Sequence, residues 1–406
     1  MLFFVDIAYL LALPFLLVFA AISRLKGHPP RKDLRARLGA GELLDIHSKR
    51  VLLHAVSVGE VNAIRTLVSN LKSTGYDVVI CVTTDTGLQR ARELFAEQHT
   101  VTRFPFDLGF AVRKFLHRID PSIIALVELE VWPNFIGISA KNNIPVVVIN
   151  GRLSHRSYKR YKLAKFLLKK TFSSLTAIGM QNEIYAKRVR ELGGVNVSVQ
   201  GTMKWDNAVI ADSVEGSDEL ASQLGIDRDK PLIVAGSTTS EEHRLLLDSI
   251  PDGTQLLCAP RRPEWFDDAE NILAPCNRRT SSDRCSTNHF LLDTFGELDK
   301  AYSLADIVVI GRSFSPMHGS DPVQPIALGK PTIIGPNASD FTDMVQLLVS
   351  NNGIIQCTQQ DLKNNIQSLL HDKVQAKALA ENGRTVITSQ QGATHRYEKL
   401  IMDNTP

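Results

Sequence analysis

Residues 51–60 read VLLHAVSVGE, an apolar run that ends in a small-residue turn and an acidic side chain. Near-continuous apolar runs of four to eight residues are typical of strands buried on both faces. Such runs occur at Val51–Val56, Asp77–Val82, Ser122–Val127, Pro145–Ile149 and Leu175–Met180. The stretches between them have helical spacing, at Glu60–Lys72, Gly87–Glu97, Phe110–Arg118, Asn134–Lys141 and Glu183–Leu192. This alternation predicts an α/β fold with a parallel sheet and helices on both of its faces.

The second half of the chain repeats the alternation after a polar stretch. Apolar runs recur at Pro231–Ala235, Gln255–Ala259, Ile307–Ile310 and Thr332–Ile334. We predict an anchor segment at 1–25, a first domain at 26–205, a linker at 206–230 and a second domain at 231–406. Whether the last helix packs back on the first domain stays open. Ligands of open parallel sheets bind outside the carboxyl ends of the strands, so both domains are expected to face one cleft.

Composition excludes several classes of protein. The net charge of the 406 residues is only +3, which argues against a nucleic-acid-binding protein. The hydrophobic fraction of 44% is enough for a buried core. The five cysteines are odd in number and form no CxxC, so neither a disulfide scaffold nor a zinc site is predicted. No nucleotide-binding glycine motif of the GxGxxG or GxxxxGK[ST] type occurs.

The N-terminal segment has the composition of a membrane anchor. Ile7–Ser23 contains no charged residue, and Pro14 lies in its middle. Six cations follow between Arg24 and Arg37, so the rest of the chain is expected on the cytoplasmic side. The run is at the short end for a bilayer core of about 30 Å. A spanning helix and a monotopic, interfacial helix therefore both stay open.

Two acidic positions follow predicted strands. Glu60 opens a helix after the first strand, where the helix dipole favours an ionised carboxylate that could act as a general base. The alternative is an ordinary acidic residue at a helix start. Glu128 and Glu130 follow the third run and would share one face of an extended segment. For these two, the alternative is an ion pair with a nearby arginine such as Arg152.

A basic stretch follows the fourth strand. Between residues 152 and 170 the chain has eight Lys or Arg residues and no acidic one, with aromatic and aliphatic side chains interleaved. This pattern predicts a basic helix that binds a membrane surface or a phosphorylated amphiphile. The alternative is a solvated helix face. The predicted contact residues are Arg156, Lys159, Arg160, Lys162, Lys165 and Lys169.

Three loops of the second half have features of a phosphate- or nucleotide-binding site. AGSTT at 235–239 is a small-residue turn before a helix, and PRRP at 260–263 places guanidinium groups after a strand. The segment 311–336 is rich in Gly, Ser and Pro, and DPVQP at 321–325 begins a predicted short helix. Each loop on its own is also compatible with an ordinary strand-to-helix connection.

Taken together, these segments resemble the 3-deoxy-D-manno-octulosonic acid (Kdo) transferases of lipopolysaccharide synthesis. The matching motifs run in order along the chain and are HAVSVGE (54–60), PFD (105–107), VELEVWPN (127–134), NGRLS (150–154), MQNE (180–183), GTMKWD (201–206), AGSTTSEEH (235–243), APRRPEWF (259–266), DTFGEL (293–298) and LGKPTIIGP (328–336). The resemblance implies a GT-B glycosyltransferase that transfers Kdo from CMP-Kdo to a lipid A precursor. It also implies inversion at the anomeric carbon, no metal, no cofactor and a location at the inner membrane. No obligate protein partner is expected.

The resemblance also implies roles for individual residues. Glu60 would deprotonate the acceptor hydroxyl, while Glu130 and Lys204 would stabilise the transition state. The positions implied to contact CMP are Pro260, Arg261, Phe295, Gly296, Glu297, Asp321, Pro322, Val323 and Gln324.

One segment departs from the family pattern. HGSDPVQP at 318–325 stands where the family usually has a sequence ending in HNPLEP, so Gln324 replaces a Glu and Asp321 an Asn. Arg312 stands where a Gly is usual. An uncharged Gln324 should hold a ribose less strongly than a carboxylate would. A related GT-B enzyme with another nucleotide sugar, or a non-catalytic membrane-anchored binding protein of the same fold, therefore stays open.

Overall fold

The computed structural model describes Asp6, residues 33–45 and residues 49–406 of the chain. The predicted anchor at 1–25 lies outside the described residues, apart from Asp6. Among the residues described, no helix is long and apolar enough to cross a membrane. The chain divides into two units, Met1–Asn207 with Gln391–Pro406 and Ala208–Gln390.

The first unit is built on a parallel seven-stranded sheet. Its strands are β1 (Arg50–Ala55), β2 (Asp77–Val82), β3 (Thr100–Arg103), β4 (Ile123–Val127), β5 (Val146–Gly151), β6 (Ala177–Met180) and β7 (Val197–Val199). They lie in the order β3-β2-β1-β4-β5-β6-β7. Alternate residues of β1 belong to apolar clusters on the two faces of the sheet, Val51 and Leu53 to one and Leu52 to the other. The five strands predicted from apolar runs are confirmed.

Helices cover the sheet of the first unit. They are α1 (Leu34–Arg37), α2 (Val58–Ala63), α3 (Arg65–Ser73), α4 (Asp85–Phe95), α5 (Gly109–Ile119), α6 (Pro133–Lys141), α7 (His155–Leu163), α8 (Lys165–Ser173) and α9 (Glu183–Leu192), with a 3₁₀ helix at Met203–Asn207. The prediction of one helix over 60–72 is wrong, because the chain bends at Ile64 and forms two. The basic stretch likewise forms two helices rather than one.

The second unit repeats the architecture. Its strands are β8 (Leu232–Thr238), β9 (Gln255–Pro260), β10 (Asn277–Arg278), β11 (His289–Leu291), β12 (Ile307–Ile310), β13 (Thr332–Ile334) and β14 (Ile355–Gln356). They form a second parallel sheet in the order β10-β11-β9-β8-β12-β13-β14. The α/β fold with two parallel sheets is therefore confirmed.

The helices of the second unit include one inside the predicted linker. They are α10 (Ser217–Leu224), α11 (Ser240–Ser249), α12 (Phe266–Leu273), α13 (Leu298–Leu304), α14 (Val323–Ala327), α15 (Thr342–Ser350), α16 (Gln359–His371) and α17 (Lys373–Gln390), with short 3₁₀ helices at Pro263–Trp265 and Ser339–Phe341. Helix α10 buries Leu220 and Leu224 within this unit, so its residues are part of the domain rather than a free connector.

The last helix, α18 (Ala393–Asp403), belongs to the first unit. Tyr397 and Ile401 are fully buried in the same apolar cluster as Val51, Leu53 and Ala55 of β1. The Tyr397 hydroxyl donates to the carbonyl of Gly201 at 2.8 Å. Asp206 accepts the backbone N–H of Gly392 at 2.6 Å, which holds the turn before the helix.

We expect Ile401→Ala to destabilise the first unit by about 2–5 kcal/mol, because it removes fully buried methyl groups from the core. Urea unfolding measures the loss of stability. Hydrogen exchange of the native variant should be faster than wild type in β1 and β5 and unchanged in β8. The control Lys399→Ala, in the same helix but exposed, should change stability by less than about 0.5 kcal/mol. Equal effects of the two variants would contradict the assignment of α18 to this core.

Candidate functional site

Glu60 lies at the carboxyl edge of the first sheet, in the first turn of α2. Its Oε2 accepts the backbone N–H of Val56 at 2.7 Å, and its Oε1 accepts the Ser57 hydroxyl at 3.0 Å. A carboxylate has about four lone-pair sites, so both oxygens keep further hydrogen-bonding capacity. The turn after β1 therefore holds the carboxyl group in place without occupying it fully.

The protonation of Glu60 differs from the sequence-based expectation. The pKa of Glu60 is raised to about 7, mainly by burial and also by the nearby Glu128 and Glu130, against the hydrogen bonds from Val56 and Ser57, which lower it. The helix dipole was expected to keep this carboxylate ionised, whereas a pKa of about 7 leaves it only partly ionised at neutral pH. Loss of hydration outweighs the dipole, which acts by less than about 1 kcal/mol at exposed sites.

Glu128 follows β4 but does not continue it. Its φ is +59°, in the left-handed region, so the predicted extended segment with Glu128 and Glu130 on one face is wrong. The backbone N–H of Glu128 donates to the carbonyl of Ile149 at 2.9 Å. Burial raises the pKa of Glu128, while Arg152 and Lys204 lower it. The arginine that the sequence offered as an alternative partner thus acts on Glu128.

Glu130 is held by a neighbouring tryptophan. The indole N–H of Trp132 donates to Glu130 Oε2 at 3.0 Å. The pKa of Glu130 is raised to about 7, mainly by burial and also by the carboxylate of Glu128, against the hydrogen bond from Trp132, which lowers it. The ring of Phe104 lies 5.5 Å from that of Trp132 and stacks on His54 at 3.9 Å. Aromatic packing therefore supports the residue that holds Glu130.

Lys204 reaches the same edge from a distant part of the sequence. It lies in the 3₁₀ helix, where the backbone N–H of Met203 donates to the Asn150 side chain at 3.2 Å. The charge of Lys204 lowers the pKa of Glu128. The structure therefore brings together Glu60, Glu128, Glu130 and Lys204 within the first unit. Sequence reasoning singled out three of these as catalytic and took Glu128 only as one of a pair.

A tyrosine of the basic stretch also belongs to this neighbourhood. Burial raises the pKa of Tyr161, and the charge of Glu130 raises it further. The ring of Tyr161 packs against Phe172 with centroids 6.0 Å apart. In the sequence, Tyr161 is one of the aromatic side chains interleaved with the cations, and this pattern did not indicate its position next to Glu130. Helix α7 thus lies beside Glu130.

The cations predicted to bind an acceptor or membrane are all exposed, and three exposed apolar residues are interleaved with them in the sequence. The predicted cations are Arg156, Lys159, Arg160, Lys162, Lys165 and Lys169. The apolar patch consists of Leu163, Phe166 and Leu167, whose residues are 91%, 92% and 61% exposed. Side chains of this size rarely stay in water without a binding role when they are contiguous.

Arg261 and Asp321 come together at the carboxyl edge of the second sheet. Burial raises the pKa of the Tyr302 hydroxyl well above its ordinary value, and both Asp321 and Arg261 act on it electrostatically. Arg261 follows Pro260, the last residue of β9, and its backbone N–H donates to the carbonyl of Thr238 at 3.0 Å. Two of the positions implied to contact CMP therefore share one neighbourhood.

The positions 295–297, which are implied to contact CMP, differ in how accessible they are to a ligand. Phe295 is 67% exposed, and Gly296 has φ +85° with open space around it. Glu297 accepts hydrogen bonds from Thr294 at 2.6 Å and from Arg279 at 3.1 Å. Burial would raise the pKa of Glu297, but these bonds lower it below its ordinary value. Phe295 is thus accessible, whereas Glu297 is engaged by protein side chains.

The segment 321–324 forms the start of α14. Asp321 Oδ1 accepts the backbone N–H of Val323 at 3.0 Å. Pro322 and Val323 are buried, and Gln324 is half-buried. Any ligand contact by Val323 would therefore involve its backbone rather than its side chain.

Glu242 is a site residue that sequence reasoning missed. Its buried carboxyl group accepts three backbone N–H groups, from Thr239 at 3.0 Å, Arg312 at 2.7 Å and Phe314 at 2.9 Å. It thereby joins the turn after β8 to the loop after β12. Arg312 has φ +58°, and its guanidinium donates to the carbonyl of Met317 at 2.9 Å. A Thr followed by Glu three residues later is a capping-box signal that could have indicated this role.

The described residues contain no group of three or more His, Cys, Asp or Glu side chains that could hold a metal ion. Metal independence stays a prediction from the family resemblance.

A family model and curated relatives that match this chain carry the same description. Residues 32–207 match the family model described as 3-deoxy-D-manno-octulosonic-acid transferase (kdotransferase). The chain is 30% identical to a 3-deoxy-D-manno-octulosonic acid transferase of Haemophilus influenzae, over 98% of this chain and 97% of that protein. It is 26% identical to the enzyme of the same description from Bordetella pertussis, over 87% of each.

A solved structure supports the fold. A glycosyltransferase from Rickettsia africae has a TM-score of 0.61 to this chain at 12% identity, covering 88% of this chain and 99% of that one. At this identity the likeness concerns the fold alone, which is the GT-B glycosyltransferase architecture.

The raised pKa of Glu60 predicts how its replacement changes stability with pH. Below pH 4.5 the carboxyl is protonated in both folded and unfolded chains, and between pH 4.5 and about 7 ionisation favours the unfolded chain. Relative to wild type, the free energy of unfolding of Glu60→Gln, measured with urea, should therefore increase as the pH rises through this window. Above about pH 7 the difference should be constant. The exposed control Glu97→Gln should stay within about 0.5 kcal/mol of wild type throughout. A pH-independent difference for Glu60→Gln would contradict the raised pKa of this carboxyl group.

Proposed function

Because the chain belongs to the 3-deoxy-D-manno-octulosonic acid (Kdo) transferase family of glycosyltransferases, we propose that it transfers Kdo from CMP-Kdo to a lipid A precursor of the lipid IVA type. The proposal includes inversion at the anomeric carbon, no metal and no cofactor. It places the enzyme at the cytoplasmic face of the inner membrane.

The observation that carries the proposal is the half-buried cluster of Glu60, Glu128, Glu130 and Lys204. A general base works best when its pKa lies near the working pH, and burial raises the pKa of Glu60 to about 7. Near neutral pH a large fraction of Glu60 is thus ionised and still basic enough to accept a proton. Its carboxyl oxygens are held by Val56 and Ser57, which limits the reorganisation needed during the reaction.

In the proposed step, the acceptor hydroxyl gives its proton to Glu60 while its oxygen attacks the anomeric carbon of Kdo. The bond between that carbon and the CMP phosphate oxygen breaks, and CMP leaves with the electron pair. Attack opposite to the leaving group inverts the anomeric configuration. Lys204 would offset negative charge on the departing phosphate, and Glu130 would stabilise the transition state, since preorganised charge is usually the largest catalytic contribution.

The donor is proposed to bind at the second unit. Support comes from Arg261 and Asp321, which act on the same buried Tyr302, and from the exposed ring of Phe295. Gln324, in place of a carboxylate, favours the alternative of another nucleotide sugar. Chromatography of the nucleotide released on turnover separates the two, because only the first yields CMP.

The acceptor and the membrane surface are proposed to meet the basic helices α7 and α8. Exposed lysines and arginines suit the phosphates of an anionic amphiphile, and the patch of Leu163, Phe166 and Leu167 suits its acyl region. The nearness of Tyr161 to Glu130 supports an acceptor that extends from these helices towards the carboxylates.

A direct assay tests the proposed function. The purified full chain is incubated with CMP-Kdo and a tetraacylated lipid A precursor, and the lipid is analysed by mass spectrometry. We expect a mass increase of one or more Kdo residues and stoichiometric release of CMP. Turnover of another nucleotide sugar instead would support the alternative enzyme, and binding without turnover would support a non-catalytic protein.

We expect Glu60→Gln to lower turnover by about 10²–10⁴-fold, because it keeps the shape of the side chain but cannot accept a proton. CMP-Kdo binding, measured by calorimetry, should change little, since the donor motifs lie in the second unit. The exposed control Glu97→Gln should retain wild-type turnover. A Glu60→Gln enzyme with more than about a tenth of wild-type turnover would exclude Glu60 as the base.

A triple variant tests the acceptor surface. Replacing Lys162, Lys165 and Lys169 by Glu should raise the KM for the anionic lipid at least about tenfold, since each lysine near an anionic surface contributes about 1 kcal/mol. The KM for CMP-Kdo should change little. The control reverses the exposed Lys363, Lys373 and Lys377 of the second unit, which gives the same change in net charge. Equal effects of the two triple variants would remove the acceptor role from α7 and α8.

A further inference from the structure

Asp6 is an acidic residue within the apolar N-terminal segment, where a charge is unfavourable for membrane association. Its carboxylate nevertheless has partners in the first unit. Asp6 Oδ1 accepts the backbone N–H of Gly109 at 2.9 Å and the side-chain amide of Asn134 at 2.9 Å. Gly109 opens α5, so its N–H has no partner inside its own helix. Asp6 therefore contacts two separate elements of this unit, α5 and α6.

Asn134 is fully buried at the start of α6 and takes part in a wider set of bonds. Its backbone N–H donates to Asp107 Oδ2 at 3.1 Å, and that of Phe135 donates to Asp107 Oδ1 at 2.7 Å. The Asn134 side chain also donates to the Asp107 carbonyl at 2.6 Å. Asp107 and Asp6 together thus accept hydrogen bonds from the first turn of α6.

The first turn of α6 is separated from the candidate catalytic carboxylate by only a few residues. Asn134 follows Trp132 by two positions, and the indole N–H of Trp132 donates to Glu130 at 3.0 Å. A shift of α6 would move Trp132 and, through its hydrogen bond, the Glu130 side chain. Displacement of a catalytic group by about 1 Å can cost about 10²-fold in rate.

We propose that Asp6 is a positioning residue, which fastens the N-terminal apolar segment to the start of α6 and thereby sets the geometry of Glu130. The expected effect of Asp6 on Kdo transfer rests on the proposed function, whereas the contact of Asp6 with α5 and α6 does not depend on it. Attachment of the segment to the membrane and the geometry of the site are then linked through one carboxylate.

The alternative is that Asp6 only limits the hydrophobicity of the N-terminal segment. The variant Asp6→Leu separates the two, because it makes the segment more apolar while removing both hydrogen bonds. Asp6→Asn keeps a side-chain oxygen that can accept the same bonds. Glu97→Leu is the control for loss of a carboxylate and gain of an apolar side chain elsewhere on the first unit.

The experiment uses the full chain with vesicles of anionic phospholipid, measuring sedimentation with the vesicles, kcat and both KM values. For Asp6→Leu we expect vesicle binding at or above the wild-type level, a fall in kcat of at least about tenfold and KM values within about threefold. Asp6→Asn should keep kcat within about threefold of wild type, and Glu97→Leu should match it. Wild-type kcat in Asp6→Leu, or equal losses in Asp6→Leu and Asp6→Asn, would overturn the proposal.

Hydrogen exchange tests the contact without any substrate. The Gly109 amide should exchange at least about tenfold faster in Asp6→Leu than in wild type and at a nearly wild-type rate in Asp6→Asn, because exchange follows loss of the protecting bond. Unchanged exchange in Asp6→Leu would overturn the contact. If wild-type protein transfers no Kdo while this exchange result holds, the proposed function fails and the fastening by Asp6 stands.

Discussion

Burial of carboxyl groups at one edge of the first sheet is the constraint on which the chemistry of this enzyme depends. Moving a carboxylate out of water is unfavourable unless it is paired, and Glu60, Glu128 and Glu130 share a confined region. Arg152 and Lys204 act on Glu128, whereas burial raises the pKa of Glu60 and of Glu130 to about 7. The same physical cost that makes this edge unfavourable for charge gives Glu60 the proton affinity of a base at neutral pH.

The fold provides that edge through its topology and supports it from outside. β1, β4 and β5 are neighbours in a parallel sheet, so the chain leaves all three at the same side. Glu60 follows β1 at a tight turn, and Glu128 follows β4 with a left-handed backbone. Asp107 and Asp6 accept hydrogen bonds from the first turn of α6. Trp132, which directly precedes this helix, donates to Glu130.

The sequence could predict what depends on local apolar runs and turn chemistry. The strands β1, β2, β4, β5 and β6 were predictable because both faces are buried, whereas β3 and β7 were missed because they are short and partly exposed. The partial ionisation of Glu60 at neutral pH was not predicted, since the helix dipole is a local effect and burial is a tertiary one. The bonds of Glu242 to Arg312 and Phe314 join residues about 70 positions apart, which no local pattern reports.

The pH dependence of kcat/KM, measured with CMP-Kdo and a lipid A precursor, tests most directly that the half-buried Glu60 is the base. With its pKa raised to about 7, kcat/KM should fall roughly tenfold per pH unit below neutrality and level off above it. The residual activity of Glu60→Gln should lack this fall. A wild-type profile that is flat below neutrality, or that bends only near the ordinary value of 4.5, would contradict it.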